Sequence, residues 1–227
     1  MNIAIIPARG GSKRIAKKNI KEFCGYEMIS YSISTAIESG IFEKIIVSTD
    51  SNEIADVSIK FGAEVPFLRP VNLSDDHTPI NPVISHAIKE LEGTIKKYEN
   101  VCCIYPCAPL LSKEDLKESL ELMISLKSDS CIPVCEFVSA PQRGFKVSTE
   151  KKLSWVNPDH RLTRSQDLEK MYHDVGAFAW AKKEKWLGGD ISDGIAFVME
   201  NSRVVDIDND EDWIRAEMLY KMINKLP

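Results

Sequence analysis

Six basic side chains, Arg9, Lys13, Arg14, Lys17, Lys18 and Lys21, occur within thirteen residues with no acid among them. Gly10 and Gly11 stand inside this run and Ser12 follows them. Adjacent glycines remove side-chain bulk, so backbone N–H groups can approach a ligand closely. A cationic, N–H-rich loop of this kind suits a polyphosphate. The spacing matches neither GxxxxGK[ST] nor GxGxxG, so it is neither a P-loop nor a dinucleotide fingerprint.

A second chemical signal lies near the end of the chain. Asp206, Asp208, Asp210, Glu211 and Asp212 place five acids in seven residues. Asp206 and Asp208 flank Ile207, and on a strand the period of two would put both carboxylates on one face. Two convergent carboxylates suit Mg²⁺, which takes one or two of them and completes its octahedron with water and phosphate oxygens. Asp210, Glu211 and Asp212 open a helical pattern, where they complement the helix dipole. The two signals are complementary: one could grip a triphosphate and the other the metal that neutralises charge at the reacting phosphorus.

The surrounding pattern predicts the elements that position them. Apolar strand-like runs fall at 2–8, 44–49, 64–68, 101–105, 130–135, 177–181 and 203–207. Helical periodicity with stop or cap signals falls at 29–37, 52–61, 82–91, 113–126 and 210–226. Ser112 to Asp115 resembles a capping box for the helix over 113–126. Strand and helix alternate, which predicts a three-layer α/β fold with a mostly parallel sheet covered on both faces. Ligands of such folds bind beyond the carboxyl ends of the strands. The basic loop follows the first run directly, and the acid pair closes a late one.

A chain of 227 residues suits one domain, 1–227, or one domain with an arm. The stretch 138–172 is polar and without period, too long for an ordinary loop, and reads as an inserted arm. The net charge of −5 argues against a nucleic-acid partner for the chain as a whole. No apolar run is long enough to span a bilayer, so no membrane association is expected. The first basic residue, Arg9, follows the opening apolar stretch instead of preceding it, so the cytoplasm is the expected location. The six cysteines form no CxxC pair and are expected as buried thiols.

At this point the residues carry a resemblance. IPARGGSKRIAKKN (6–19) resembles the signature loop of the CMP-sialic acid synthetase family. VSTDSNEIA (47–55), LRP (68–70) and VVDIDNDEDW (204–213) resemble its later motifs in the same order. The resemblance implies a Rossmann-like fold of the nucleotide-diphospho-sugar transferase type with a dimerisation arm, and a homodimer. It implies an Mg²⁺-dependent nucleotidyltransferase. CTP and an acidic nine-carbon keto-sugar would give CMP-sugar and pyrophosphate, through in-line attack of the anomeric hydroxyl on the α-phosphate. Arg9, Gly11, Ser12, Lys13 and Asn19 match the nucleotide-holding loop, with Gly10 beside them. Arg69 matches the nucleotide-side arginine of LRP, and Lys18 a loop lysine near the phosphates. Asp206 and Asp208 match the metal pair, and Arg164 and Gln166 lie at the sugar-side RxQ positions.

Two departures bear on the sugar. The family's Gln-Pro-Thr-Ser-Pro is here Tyr105, Pro106, Cys107, Ala108, Pro109, so Tyr105 replaces a sugar-contacting glutamine. Tyr172, His173 and Asp174 precede Val175 and Gly176, where sialic acid enzymes commonly end in Asn-Gly. His173 is read as a hydrogen-bond partner of the sugar, since neighbouring residues on a strand do not face each other as base and orienting acid would. The tract RSQDLEKMYHDVGAFAW (164–180) resembles the bacterial branch that uses pseudaminic acid. Pseudaminate is therefore the expected sugar, with N-acetylneuraminate, legionaminate and 3-deoxy-octulosonate as alternatives. A non-catalytic nucleotide-binding module on the same fold is the alternative of another class. His77, His86 and His160 carry no metal spacing, and Trp155, Trp180, Trp186 and Trp213 are expected to pack.

Overall fold

A computed structural model of the chain describes every residue except 92, 94–96 and 227. In chain order its strands are β1 (Asn2–Pro7), β2 (Glu22–Phe23), β3 (Tyr26–Glu27), β4 (Lys44–Ser48), β5 (Asn100–Ile104), β6 (Ser130–Glu136), β7 (Phe145–Val147), β8 (Leu153–Trp155), β9 (Tyr172–Asp174), β10 (Phe178–Lys182) and β11 (Ile195–Met199). A seven-stranded sheet runs β11-β6-β10-β5-β1-β4, with β9 added on β6. β1 lies parallel to both β4 and β5, and β11 parallel to β6. β10 runs antiparallel between β5 and β6, and β9 antiparallel to β6.

β1 shows why its sequence is apolar throughout. Ile3, Ala4, Ile5 and Ile6 are all fully buried. Ala4 and Ile6 face one core with Val47, Cys102 and Ile104; Ile3 and Ile5 face the other with Ile46, Val101 and Cys103. A central parallel strand is covered on both sides and has no solvent face to make polar. Helices α1 (Met28–Ser39), α2 (Asn52–Lys60) and α4 (Lys113–Ser125) contribute Ile29, Ile33, Ile54, Leu116 and Leu120 to the first core. Helices α3 (Ile80–Glu90) and α5 (Lys183–Gly188) contribute Ile84, Ile88 and Trp186 to the second. The capping box expected at Ser112 and Asp115 is present in full.

A third, smaller core lies at the edge of the molecule. It joins Ile15 of the basic loop, Phe23 of β2 and Met28 to Ile207 and to Trp213 and Ala216 of the closing helix α6 (Asp210–Ile223).

Three expectations need correction. The segment 203–207 is not a strand: a 3-10 turn, Asn201–Arg203, leads into backbone that joins no sheet. Its anchors are instead the buried Val204 and Ile207 and a bidentate pair between Arg203 and Asp115. The strand at that edge is β11, which the sequence reading left unassigned. The segment 64–68 makes two isolated parallel bridges, Ile46 to Glu64 and Thr49 to Leu68. Pro66 lies between them and has no N–H for a ladder. Finally, the irregular stretch ends in β9, and β7 pairs with β8 as a hairpin outside the main sheet. All six cysteines are free thiols, four of them buried.

Candidate active site

β1 delivers the basic loop to one end of the sheet. Ala8 N–H donates to Ser48 O at 2.9 Å, so pairing with β4 persists up to the loop. Gly10 N–H then donates to Asp50 Oδ1 at 2.8 Å. A Cβ on Gly10 would stand 3.1 Å from Ser51 Cβ, so a glycine permits this close turn. Asn19 closes the loop: it is buried, and its Nδ2 donates to Arg9 O at 2.9 Å. Ile15 holds the middle of the loop down by packing in the third core.

That same core brings the acid pair opposite. Ile207 is buried between Asp206 and Asp208, so alternation places both carboxylates toward the cleft even without a strand. Lys18 Nζ donates to Ile207 O at 2.6 Å, and Arg14 Nη2 lies 2.7 Å from Asp208 Oδ1. The N-terminus of α6 secures the acidic segment further. Asp212 Oδ2 accepts the N–H groups of Asp208 and Asn209, and Asn209 Oδ1 accepts those of Glu211 and Asp212. Asp212 therefore caps, as its position suggested.

The result is a cleft of about 640 Å³. Arg9, Ser12, Lys13, Lys18, Asn19, Arg69, Tyr105, Asp206 and Asp208 line it. Gly10 and Gly11 are exposed in the loop and outside the described lining of the cleft. Arg164 and Gln166 are exposed on the arm, Arg164 just before the 3-10 turn Ser165–Asp167 and Gln166 within it. His173 pairs with Cys135 on β9, packs against Phe137 at 4.9 Å between ring centroids, and sets Nδ1 2.9 Å from Asp174 O. Arg164, Gln166 and His173 are outside the described lining of the cleft. The structure adds residues that spacing did not single out: Arg14, and Asp76, Thr78, Ile80 and Val83 from the stretch before and within α3. Arg14 stood visibly in the basic run; the others carry no local signal, because only the chain path after Arg69 brings them to the cleft.

The electrostatics follow from the geometry. Burial, and then the neighbouring Asp208, raise the pKa of Asp206 above the usual carboxylate value, with Lys18 opposing. Arg69 is buried; desolvation lowers its pKa, and Asp50, 3.9 Å away, acts against the shift. Its Nε donates to Ser74 Oγ at 3.2 Å. Burial pushes the Tyr105 phenol up. Burial also pushes the Cys107 thiol up to about 12, so it is no thiolate nucleophile at neutral pH. Its Sγ donates to Asn19 Oδ1 at 3.2 Å and completes the support of the loop.

The acid pair fits a divalent cation. A cation would favour the ionised Asp206 against the burial and the Asp208 charge that raise its pKa. Among the described residues no group of three or more His, Cys, Asp or Glu could hold a metal. Two protein carboxylates leave the rest of an octahedron to water and phosphate oxygens, the arrangement Mg²⁺ prefers.

Comparison with known proteins agrees with this geometry. The cytidylyltransferase family model matches residues 3–184. Pseudaminic acid cytidylyltransferase of Campylobacter jejuni is 42% identical over 224 residues, 97% of each chain. CMP-N,N'-diacetyllegionaminic acid synthase of the same species is 32% identical over 229 residues, 99% of this chain and 97% of the relative. N-acylneuraminate cytidylyltransferase A of Danio rerio is 33% identical over 94% of this chain and 49% of the relative. The solved structure of CMP-2-keto-3-deoxy-manno-octonic acid synthetase complexed with CTP superposes over 99% of each chain, with a TM-score of 0.72 at 15% identity. That likeness establishes the Rossmann-like α/β fold. The chain belongs to the cytidylyltransferase family and is an enzyme of that class.

Proposed function

We propose that this cytidylyltransferase transfers CMP from CTP to a nonulosonic acid, and that the acid is pseudaminic acid. The observation that carries the reading is the cationic loop facing the Asp206 and Asp208 pair across one cleft. Its volume is in the range of small-molecule sites. Two relatives 42% identical to this chain are pseudaminic acid cytidylyltransferases by name, and the tract 164–180 resembles that branch.

In this reading Arg9, Ser12 and Lys13 hold the phosphates, and Asn19 keeps their loop in shape. Arg69 supplies a buried positive charge on the nucleotide side. Tyr105, with burial keeping its phenol protonated, offers an O–H to the sugar. Asp206 and Asp208 would hold Mg²⁺, which when bound neutralises charge at the α-phosphate and favours the ionised sugar hydroxyl. Lys18 adds a cation beside that pair. The anomeric oxygen attacks the α-phosphorus as the bond to pyrophosphate breaks, and the chain's own contribution is to align the two.

We assign 138–172 to a dimerisation arm. Val138, Val147, Leu153 and Leu162 are 86%, 65%, 67% and 85% exposed, an apolar surface that a second copy would cover. An arm exchanged between two copies would carry Arg164 and Gln166 to the other copy's cleft. Light scattering of Val138→Asp with Leu162→Asp tests this: a monomer is expected, and an unchanged dimer would remove the arm from the interface. The six free thiols and the use of CTP support a cytoplasmic location. No described helix is long and apolar enough to cross a membrane.

The deciding experiment is pyrophosphate release from CTP and Mg²⁺ with pseudaminic, legionaminic, N-acetylneuraminic and 3-deoxy-octulosonic acids in turn. Release with pseudaminate alone supports the whole reading. Release with another acid alone keeps the reaction and overturns the sugar.

A further inference from the structure

The cationic loop is already engaged by an anion of the protein itself. Arg9 Nη1 pairs with Asp76 Oδ1, and Lys13 Nζ pairs with the other oxygen, Asp76 Oδ2. The other loop cations are held elsewhere: Arg14 by Asp208, Lys17 by Glu53, Lys18 by Ile207 O and Lys21 by Asp210. Arg9 and Lys13 thus share a single carboxylate that itself lines the cleft.

Asp76 differs from its neighbour Asp75. The Asp75 Oδ1 atom accepts the N–H groups of His77 and Thr78 and the Thr78 hydroxyl, so it builds the turn that leads into α3. The Asp76 carboxylate instead reaches across the cleft, its side chain 26% exposed, and the two loop cations hold its pKa below the usual value. It is presented by a turn that stands without it.

We propose that Asp76 occupies the place of the nucleotide's terminal phosphates on Arg9 and Lys13, so that a polyphosphate must displace it and is held less tightly than the two cations alone would hold it. The proposal rests on the reading of the cleft as a CTP site. One carboxylate carries one negative charge, whereas a triphosphate brings several to the same two cations and outcompetes it. A monophosphate brings too little charge to displace Asp76 and binds without those two contacts. Once pyrophosphate has left, the CMP-sugar holds only one phosphate, and Asp76 returns to Arg9 and Lys13. The residue therefore tempers the hold of Arg9 and Lys13 on polyphosphate and assists the release of pyrophosphate.

Titration calorimetry without sugar tests this, using CTP, CMP and inorganic tripolyphosphate on the full-length wild type, Asp76→Asn and Asp76→Glu. Removing the competing charge in Asp76→Asn is expected to lower the Kd of CTP and tripolyphosphate about three- to tenfold. The Kd of CMP is expected to stay within about twofold, and Asp76→Glu to behave as wild type. An unchanged CTP affinity in Asp76→Asn overturns the proposal. A weakened one does so too, because it makes Asp76 an orienting partner of Arg9 and Lys13 and not a competitor. Failure of the wild type to bind CTP while it binds tripolyphosphate would refute the nucleotide reading instead, and the tripolyphosphate series would still test Asp76.

Discussion

Lys18 Nζ donates a 2.6 Å hydrogen bond to the carbonyl of Ile207, 189 residues further along the chain. The bond crosses from the loop after the first strand to the segment that carries both aspartates. Beneath it, Ile15 and Ile207 share one apolar cluster. Burial of those two side chains sets the separation of the cationic loop and the acid pair, and the Lys18 side chain ties the loop to the backbone of the acidic segment. Replacing Lys18 by Ala is expected to raise the Mg²⁺ concentration for half-maximal turnover by roughly tenfold, as loss of a supporting contact behind a metal ligand does. A kcat loss with an unchanged Mg²⁺ requirement would make Lys18 a contact of the phosphates alone.

Asp208 carries half of the proposed metal site. Asp208→Ala is expected to leave CTP binding largely intact while lowering kcat by roughly a hundredfold or more, since the metal contributes several kcal/mol to the transition state. Near-normal kcat at saturating Mg²⁺ would refute the metal assignment.

Asp206 should be a source of instability in the absence of metal. Its folded pKa is raised, by burial first and by Asp208 second, so the folded state binds its proton more tightly than the unfolded chain does. This group's stabilising contribution is complete below the unfolded pKa and is lost as pH rises through the folded one. Asp206→Asn, which stays neutral, is therefore expected to melt above the wild type at pH 7 without metal. The gap should close as the pH falls and the wild-type carboxyl protonates. A lower Tm for the variant at pH 7 would contradict the cause assigned to the shift.

Lys13 is exposed, and among the described residues its ion pair is to Asp76. Lys13→Ala is expected to raise the KM for CTP by about three- to tenfold with little change in fold stability, the scale of a single solvent-screened phosphate contact. An unaltered KM would remove Lys13 from the phosphate site.

The pair between Arg203 and Asp115 fastens the acidic segment to the first turn of α4, with contacts of 2.8 and 2.9 Å. Burial would raise the Asp115 pKa, but Arg203 and Ser112 more than offset that, and the net shift is downward. Arg203→Ala strands a carboxylate whose side chain is only 4% exposed, so a loss of about 3 kcal/mol in urea unfolding is expected. The depressed pKa makes this stability present above the unfolded carboxylate value, and it is lost as pH falls through the folded one. The wild type should therefore lose its advantage over Arg203→Ala in acid. A loss below about 1 kcal/mol at pH 7 would class the pair with ordinary surface bridges.

Much of this was legible before any coordinates. Strand β1, the basic loop, the Ser112 capping box and the acid pair all announce themselves locally, because period, capping and charge density are properties of a few consecutive residues. The failures were equally physical. A strand over 203–207 was inferred from alternation, but alternation records which side chains are buried and not whether the backbone finds a ladder partner. Val204 and Ile207 are buried in a segment whose backbone joins no strand. β11 was missed because at the sheet edge Ala196 and Val198 face solvent, which blurs the apolar signal of a strand.

By itself the sequence determined that an apolar strand would present a cationic, glycine-containing loop, and that two carboxylates would flank a buried isoleucine. Tertiary structure alone decided that the two meet. It alone placed Asp76 on Arg9 and Lys13, Arg14 on Asp208 and Lys18 on Ile207 O. Those relations depend on how three apolar clusters stack the elements in space, and no local pattern encodes the separation between residues that touch only after the core has formed.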